Sequence, residues 1–194
     1  MKQLLRFMGS VVLIAMISLG VMPMSKAYEP GTHIHGMATL EIAIDGAVVQ
    51  INLDSPLDNL LGFERAPRNE KERQSVKAMA LRLYQADTLF IFTPAAQCRL
   101  ESTRLESAVL APSLLAPASD SGKSGDIAKA DTSGVHAELA ATWHFQCAVP
   151  QALQGVEVHL FQKFSSLKRI DAAVVGPKGQ SSAKLSPKST RLKW

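Results

Sequence analysis

The chain has 194 residues, of which 46% are hydrophobic and 20% are charged, and its formal net charge is +4. Three of its 21 Lys and Arg residues and none of its 17 Asp and Glu residues precede Tyr28, which leaves 18 against 17 and a net charge of +1 from there on. A nearly neutral chain has no cationic excess for phosphates, so composition gives no support for nucleic-acid binding, and we expect none.

The first 27 residues have the pattern of a secretory signal peptide. Lys2 and Arg6 precede an apolar run at residues 7–22, and the small residues Ser25 and Ala27 follow two positions apart. The run is short for a membrane-spanning helix, which needs about 20 residues, and no cysteine follows to take a lipid. We therefore expect cleavage after Ala27, export, and no membrane anchor afterwards. Retention of the segment as an anchor is the alternative.

The remaining residues, 28–194, are enough for one domain with its own core, and we expect no second domain. They include two cysteines, Cys98 and Cys147. Exported chains enter oxidising compartments, where paired cysteines form disulfides. This rule favours a Cys98–Cys147 disulfide over the alternative of two free thiols.

The segments that follow the signal peptide predict a hairpin and then a helix. Apolar and polar residues alternate in MATLEIAID and VVQINL, on either side of a turn at Gly46, which is typical of two half-buried strands. After a loop with buried apolar anchors, DSPLDNLLGFERAP, Asn69 and Glu72 have the spacing of a capping box. They open an amphipathic helix that we expect to pack on the sheet. Its apolar face consists of Val76, Met79, Ala80 and Leu83.

The rest of the chain predicts further strands around one long loop. A strand in TLFIFTPAAQCRLESTRLES is broken near Pro94, and the Pro, Ser, Gly, Ala and Asp-rich segment 111–134 predicts a flexible loop. VHAELAATWHFQC alternates regularly, as a strand with one polar face does. If it pairs antiparallel with the strand after Cys98, the two cysteines lie at the base of a hairpin whose tip is the loop.

The last third predicts a strand, a turn or short helix near residues 164–167, a strand at 170–175 and a tight turn at 177–179. The fold class that follows is α+β, a mainly antiparallel β-sheet with one packed amphipathic helix and a disordered central loop.

Four residues form a candidate metal site. In an extended segment, His33 and His35 point the same way about 7 Å apart, a spacing at which two imidazoles can share a metal. His136 and Glu138 form a second such pair on the polar face of their strand. Together they supply the three or four ligands that zinc needs, provided that the N-terminal strand lies near the strand after the loop. The alternatives are a solvated tail for the first pair and an ordinary polar face for the second.

The other features give no support for catalysis. The chain contains neither a G-x-S-x-G elbow nor an H-E-x-x-H helix, and the cysteines are better explained as a structural pair than as nucleophiles. His159 lies among apolar neighbours and is interpreted as a partly buried structural residue. We therefore expect no enzymatic activity.

The order of five segments resembles that of a known family, the ZrgA-like zinc-regulated periplasmic proteins, a domain family otherwise of unknown function. The resemblance covers nearly all of the chain after the signal peptide. The segments are HIHGMATLEIAIDG, LDSPLDNLLGFERAP, LFIFTPAAQCRL, HAELAATWHFQCAVP and LFQKFSSLKRIDAAVVGPKGQSSAKLSP.

The resemblance implies a periplasmic zinc-binding accessory protein that assists zinc uptake or homeostasis by handing zinc to the periplasmic component of a zinc ABC transporter. It implies metal roles for His33 and His35, and it places His136 and Glu138 where the family resumes its fold after the loop. Members commonly fill that loop with His, Asp and Glu, whereas residues 111–134 contain no histidine here. The alternative function is a metal-independent periplasmic interaction module whose sheet edge or loop docks a transporter component.

Overall fold

A computed structural model describes residues 34–117 and 137–194 of the chain. The predicted signal peptide, His33, His136 and residues 118–134 of the predicted loop lie outside the described residues. Among the residues described, no helix is both long enough and apolar enough to cross a membrane.

The described residues form two β-sheets and five short or medium helices, which confirms the predicted α+β class. The larger sheet has six strands in the order β4-β5-β2-β1-β7-β8, and the smaller has three in the order β3-β6-β9. All the neighbouring strands pair antiparallel except β1 and β7, which are parallel. The strands are β1 (Met37–Asp45), β2 (Val48–Pro56), β3 (Phe90–Phe92), β4 (Cys98–Glu106), β5 (Glu138–Cys147), β6 (Gly155–Val158), β7 (Arg169–Gly176), β8 (Gly179–Leu185) and β9 (Arg191–Lys193). The helices are α1 (Leu57–Leu61), α2 (Glu70–Tyr84), α3 (Ala86–Leu89), α4 (Pro112–Leu115) and α5 (Leu160–Lys163), with 3-10 turns at Pro94–Ala96 and Pro150–Ala152.

The predicted hairpin and helix are both confirmed. β1 and β2 pair across a turn at Gly46, whose φ of 56° lies in the left-handed region that glycine tolerates. The side chain of Asn69 accepts a hydrogen bond from the Glu72 amide (2.9 Å) and begins α2, as its spacing predicted. The predicted apolar face is the buried face of α2, made of Val76, Met79, Ala80 and Leu83.

Packing of α2 against the six-stranded sheet makes the core. The indole N–H of Trp143, a fully buried residue of β5, donates to the Leu83 carbonyl at 2.8 Å. Phe90 meets the Trp143 ring edge-on, with 4.9 Å between ring centroids. Burial alternates along β1, β2, β5 and β7, so one side of these strands faces the core and the other side of the six-stranded sheet carries their polar residues. We call that side the polar face.

The two cysteines close the hairpin formed by β4 and β5, as predicted. Cys98 lies directly opposite Cys147 in the ladder, and a disulfide joins them with an S–S distance of 2.01 Å. β4 is an edge strand, largely exposed, and pairs only with β5 in the part of the chain described. The disulfide therefore adds a covalent attachment to a strand that has a hydrogen-bonded neighbour on one side only.

Two predicted loops contain structure that their composition did not predict. The segment after β2, expected to be a loop, forms α1, which ends at Gly62 in the left-handed conformation (φ 79°). The predicted flexible loop at 111–134 begins with α4, whose Leu115 is buried against the core. Burial of a few leucines orders both segments, and that burial depends on neighbours distant in sequence.

Replacing both Cys98 and Cys147 with serine is expected to lower the free energy of unfolding by about 2 to 4 kcal/mol, because an open chain gains unfolded-state freedom that the disulfide removes. Urea denaturation of the oxidised wild type and of the variant measures the difference. Reduced wild-type protein is the matched control and should behave like the variant. Equal urea midpoints for all three would show that the disulfide contributes nothing to stability.

Candidate metal site

The histidine segment and the strand after the loop begin at the same end of the six-stranded sheet. β1 and β5 both pair antiparallel with β2, on its two sides, so they run in the same direction. Their first residues, Met37 and Glu138, lie two strand spacings apart, which is about 10 Å. The order of the strands therefore brings the start of β1 and the start of β5 to the same end of the sheet, with β2 between them.

His35 lies in a tight turn just before β1, which we call the histidine turn (residues Ile34 to Met37). The Met37 amide donates to the Ile34 carbonyl at 3.0 Å and closes the turn. The Nδ1 atom of His35 lies 2.9 Å from Oδ2 of Asp58, in the first turn of α1. The histidine side chain is 69% exposed and the aspartate 34%. An ionised carboxylate only accepts hydrogen bonds, so Nδ1 donates to Asp58, and in the neutral ring the lone pair is on Nε2.

Two carboxylates set the charge around the His35 ring. The hydrogen bond to Asp58, followed by the negative charges of Asp58 and Glu64, raises the pKa of His35 above its ordinary value of 6.5. The same negative surroundings favour any cation at this position, a metal ion as well as a proton. A carboxylate that holds Nδ1 of a histidine is the arrangement that orients metal-binding imidazoles in zinc sites.

The main chain of the histidine turn is held at Gly36. Its amide donates to the Asn59 side-chain oxygen at 2.6 Å, and its carbonyl accepts from the amides of Lys168 (2.7 Å) and Arg169 (2.9 Å). Its φ of 81° is left-handed, and a Cβ at this position would lie 3.1 Å from Cγ of Lys168. Both features favour glycine, which explains the Gly of the His-x-His-Gly motif.

Glu138 lies on the polar face, where it belongs to a group of carboxylates. Loss of solvation, and then the charges of Glu138 and Glu41, raises the pKa of Asp54 above its ordinary value. Acids that share a sheet face in this way repel each other, and a bound cation would relieve that repulsion. Even so, no three His, Cys, Asp or Glu side chains in residues 34–117 and 137–194 are placed to hold one metal ion.

The structure describes only two of the four predicted ligands. His35 and Glu138 are described, and the structure places them at the same end of the sheet. His33 and His136 lie outside the described residues, so their part in the set stays a prediction. His159 is separate from this site, with its side chain 24% exposed and Nε2 at 3.3 Å from Glu157.

Two residues that contact the histidine turn, Asp58 and Asn59 of α1, are not predicted from the sequence. They lie in the segment DSPLDNLLGFERAP, which predicts a loop with buried apolar anchors. The segment belongs to the family resemblance, but it is too short to show a period and gives no sign of the partners of these two residues. Their partners in the histidine turn are 22 or 23 residues away along the chain, so only the tertiary structure connects them.

The comparison with protein families matches this chain to one of them. A family model described as "ZrgA family zinc uptake protein" matches residues 32–194, which include all the described residues. The resemblance drawn from the five sequence segments is thereby confirmed. A comparison with curated proteins found no match.

Changing Asp58 to asparagine is expected to lower the pKa of His35 towards 6.5, because the acceptor loses its charge while Glu64 remains. An NMR titration of the His35 ring measures this shift. A raised pKa stabilises the fold below the unfolded value, and this contribution is lost as pH rises through the folded pKa. The variant should therefore be destabilised more at about pH 5 than at about pH 8.5.

The matched control for that titration is Glu157→Gln, which removes a carboxylate beside His159 and not beside His35. It should leave the His35 titration unchanged. If Asp58→Asn also left the His35 pKa where it is in the wild type, the hydrogen bond assigned to Nδ1 would be wrong.

Proposed function

Because the chain belongs to the ZrgA family of zinc uptake proteins, we propose that it is a non-enzymatic accessory protein that binds zinc in the periplasm and assists zinc uptake or homeostasis. In this proposal zinc is cargo, collected and handed on. The partner would be the periplasmic component of a zinc ABC transporter, as the family resemblance implies. Family membership supports the link to zinc, and the arrangement around His35 supports the binding step.

The observation that carries the proposal is the pairing of His35 with Asp58 at 2.9 Å. Holding Nδ1 leaves Nε2 as the free ligand atom and makes the ring more basic, which strengthens a bond to a metal ion. The side chain is 69% exposed, so a metal ion can reach Nε2 from solvent. An accessible ligand suits cargo that must be released, whereas closed four-ligand sites are typical of structural zinc.

The full ligand set that we propose is His33, His35, His136 and Glu138. β1 and β5 begin at the same end of the sheet, which supports bringing these ligands together. Imidazole and carboxylate ligands suit zinc, copper and nickel alike, and the family description is what favours zinc. Residues 111–134 contain no histidine, so on this proposal the folded domain carries the binding site.

The proposed location rests on two features of the chain. Residues 1–27 have the pattern of a cleaved signal peptide. The disulfide between Cys98 and Cys147 is of a kind that forms and persists in oxidising compartments such as the periplasm. Both features support an exported protein, and neither depends on the metal site.

A second candidate function is a metal-independent module that docks a transporter component. The edge strand β4 favours it, because most of its residues are exposed and its outer edge meets no other strand among the residues described. Such edges can accept an extended segment of a partner by backbone hydrogen bonding. β4 also carries charges of both signs and a bulge after Leu100, which are devices that protect sheet edges from unwanted pairing.

We expect the exported protein, expressed with its own first 27 residues and purified without a tag, to bind zinc with micromolar or tighter affinity at neutral pH. Changing His35 to alanine should weaken binding at least about tenfold, because a zinc site has only three or four ligands. Calorimetric titration with zinc measures both affinities. His144→Ala is the matched control, since His144 lies on β5 opposite Gln50, away from the histidine turn.

Three outcomes of this titration are informative. Loss of affinity in His35→Ala but not in His144→Ala supports the proposed site. Equal zinc affinity in all three proteins would place the metal elsewhere. No zinc binding by the wild type would refute the zinc-carrying function, and partner binding that survives chelation would then favour the docking module.

A further inference from the structure

Two neighbouring residues of α1 hold the histidine turn in different ways. Asp58 reaches the ring of His35, whereas Asn59 reaches the main chain of the turn. Asn59 is 2% exposed, and its neighbours on the buried side of α1 are Leu57 and Leu60. An uncharged amide in a position otherwise occupied by leucines calls for a physical reason, since burying a polar group is costly unless it is fully paired.

The hydrogen bonds of Asn59 supply that reason. Its Oδ1 accepts from the Gly36 amide at 2.6 Å. Its Nδ2 donates to the Met37 carbonyl at 2.7 Å and to Oγ of Ser55 at 3.2 Å. Ser55 is fully buried and donates in turn to the Pro56 carbonyl at 3.1 Å. The amide therefore uses its acceptor and both donors, and two of the three bonds go to the histidine turn.

Asn59 acts where the β1–β2 ladder stops. The ladder runs from Asp45 back to Thr39, which is opposite Asp54, and soon afterwards β2 ends at Pro56 and the chain turns into α1. A side-chain amide has the same donor and acceptor groups as a peptide unit. The Asn59 amide thus takes the place of the next β2 peptide group and extends the ladder to Gly36 and Met37.

We propose that Asn59 is a positioning residue for His35. It fixes the main chain next to His35, and Asp58, its neighbour on the same helix, then meets the ring at a set distance. Because Asp58 and Asn59 belong to one helical turn, the partner of the ring and the partner of the main chain move as one unit. The inference rests on the proposed function, in that the positioned Nε2 is the atom offered to zinc.

The placement of α1 supports this role. The Leu57 amide donates to the Ala137 carbonyl at 2.9 Å, which ties the start of the helix to the beginning of β5. Leu57 is fully buried, and Leu60 is 8% exposed. The histidine turn is therefore set against a helix that is itself anchored to the core, and the main chain at His35 is held by buried groups.

The test is zinc titration of the exported protein carrying Asn59→Asp. This variant keeps the size and the acceptor of Asn59 but loses both N–H donors. Zinc affinity should fall about 10-fold to 100-fold, the range seen when groups that orient metal ligands are removed. A carboxylate at this position would attract zinc, and a carboxyl kept neutral by burial would leave the charge unchanged, so neither form explains a loss of affinity at a pH where the His35 ring is neutral. In the metal-free protein, at a pH high enough to keep the His35 ring neutral, NMR should show that the ring no longer keeps its proton on Nδ1 alone.

Two controls separate positioning from general instability. Ser55→Ala removes one neighbour of Asn59 but leaves its bonds to Gly36 and Met37, so zinc affinity and the ring tautomer should stay close to those of the wild type. Leu192→Ala opens the core at β9, where Leu192 is 2% exposed, and lowers stability away from the histidine turn. It should bind zinc as the wild type does at a temperature where both are folded.

The outcomes distinguish this inference from the proposed function. Equal zinc affinity in Asn59→Asp and the wild type would overturn the positioning role, and so would an equal loss in Leu192→Ala. If the wild type binds no zinc, the proposed function fails and the NMR measurement decides the inference alone. A changed His35 tautomer in Asn59→Asp would then support positioning, and an unchanged one would overturn it.

Discussion

The structure depends on the pairing of β2 with two antiparallel neighbours. A strand that is antiparallel to both neighbours forces them to run in the same direction and to begin at the same end. In this protein the neighbours are β1 and β5, which follow the histidine turn and the predicted central loop. β2 itself continues into α1 at that same end. The sheet order thus collects the histidine turn, the start of β5 and α1 in one place, before any side chain is considered.

At that end of the sheet, one exposed candidate ligand is held by residues that are less exposed. The His35 ring is exposed, but the groups that fix it are Asp58, which is half-buried, and Asn59, which is buried. Burial makes a hydrogen-bonded amide strict in its geometry, because any unpaired donor or acceptor would be costly. Exposure leaves the ligand atom open to incoming metal. The arrangement combines a set position of the candidate ligand with free access, which is what the proposed function of collecting and passing on zinc requires.

The composition of the predicted central loop makes the folded domain the main candidate for metal binding in this protein. Resemblance implies that family members commonly carry His, Asp and Glu in this loop, and residues 111–134 of this chain have no histidine. The first part of the segment forms α4 and buries Leu115 against the core. In this protein the first residues of the segment pack against the core. The metal binding that we propose is therefore placed in the folded domain.

Much of this architecture could be predicted because it depends on patterns among residues that are close in sequence. The structure confirms the alternation in β1, β2 and β5, the apolar face of α2 and the cap at Asn69. Each of these features depends on residues a few positions apart, which is why it could be predicted. The pairing of the two cysteines was also predictable, because the sequence contains only these two. By contrast, β8 is an exposed edge strand of mainly small and polar residues, GQSSAKL, and it has too little alternation to be predicted as a strand.

The sequence by itself determined which residues could serve as ligands and where the regularly alternating strands lie, and it favoured pairing of the two cysteines. Only the tertiary structure decided that α1 exists, that Asp58 meets His35, and that Asn59 continues the ladder to Gly36. The physical reason is the separation along the chain of the residues that interact. The periodicity of a segment shows which of its own residues face the core and which face solvent. The buried amide of Asn59 and the oriented imidazole of His35 depend on partners more than 20 residues away, which the sheet order brings close.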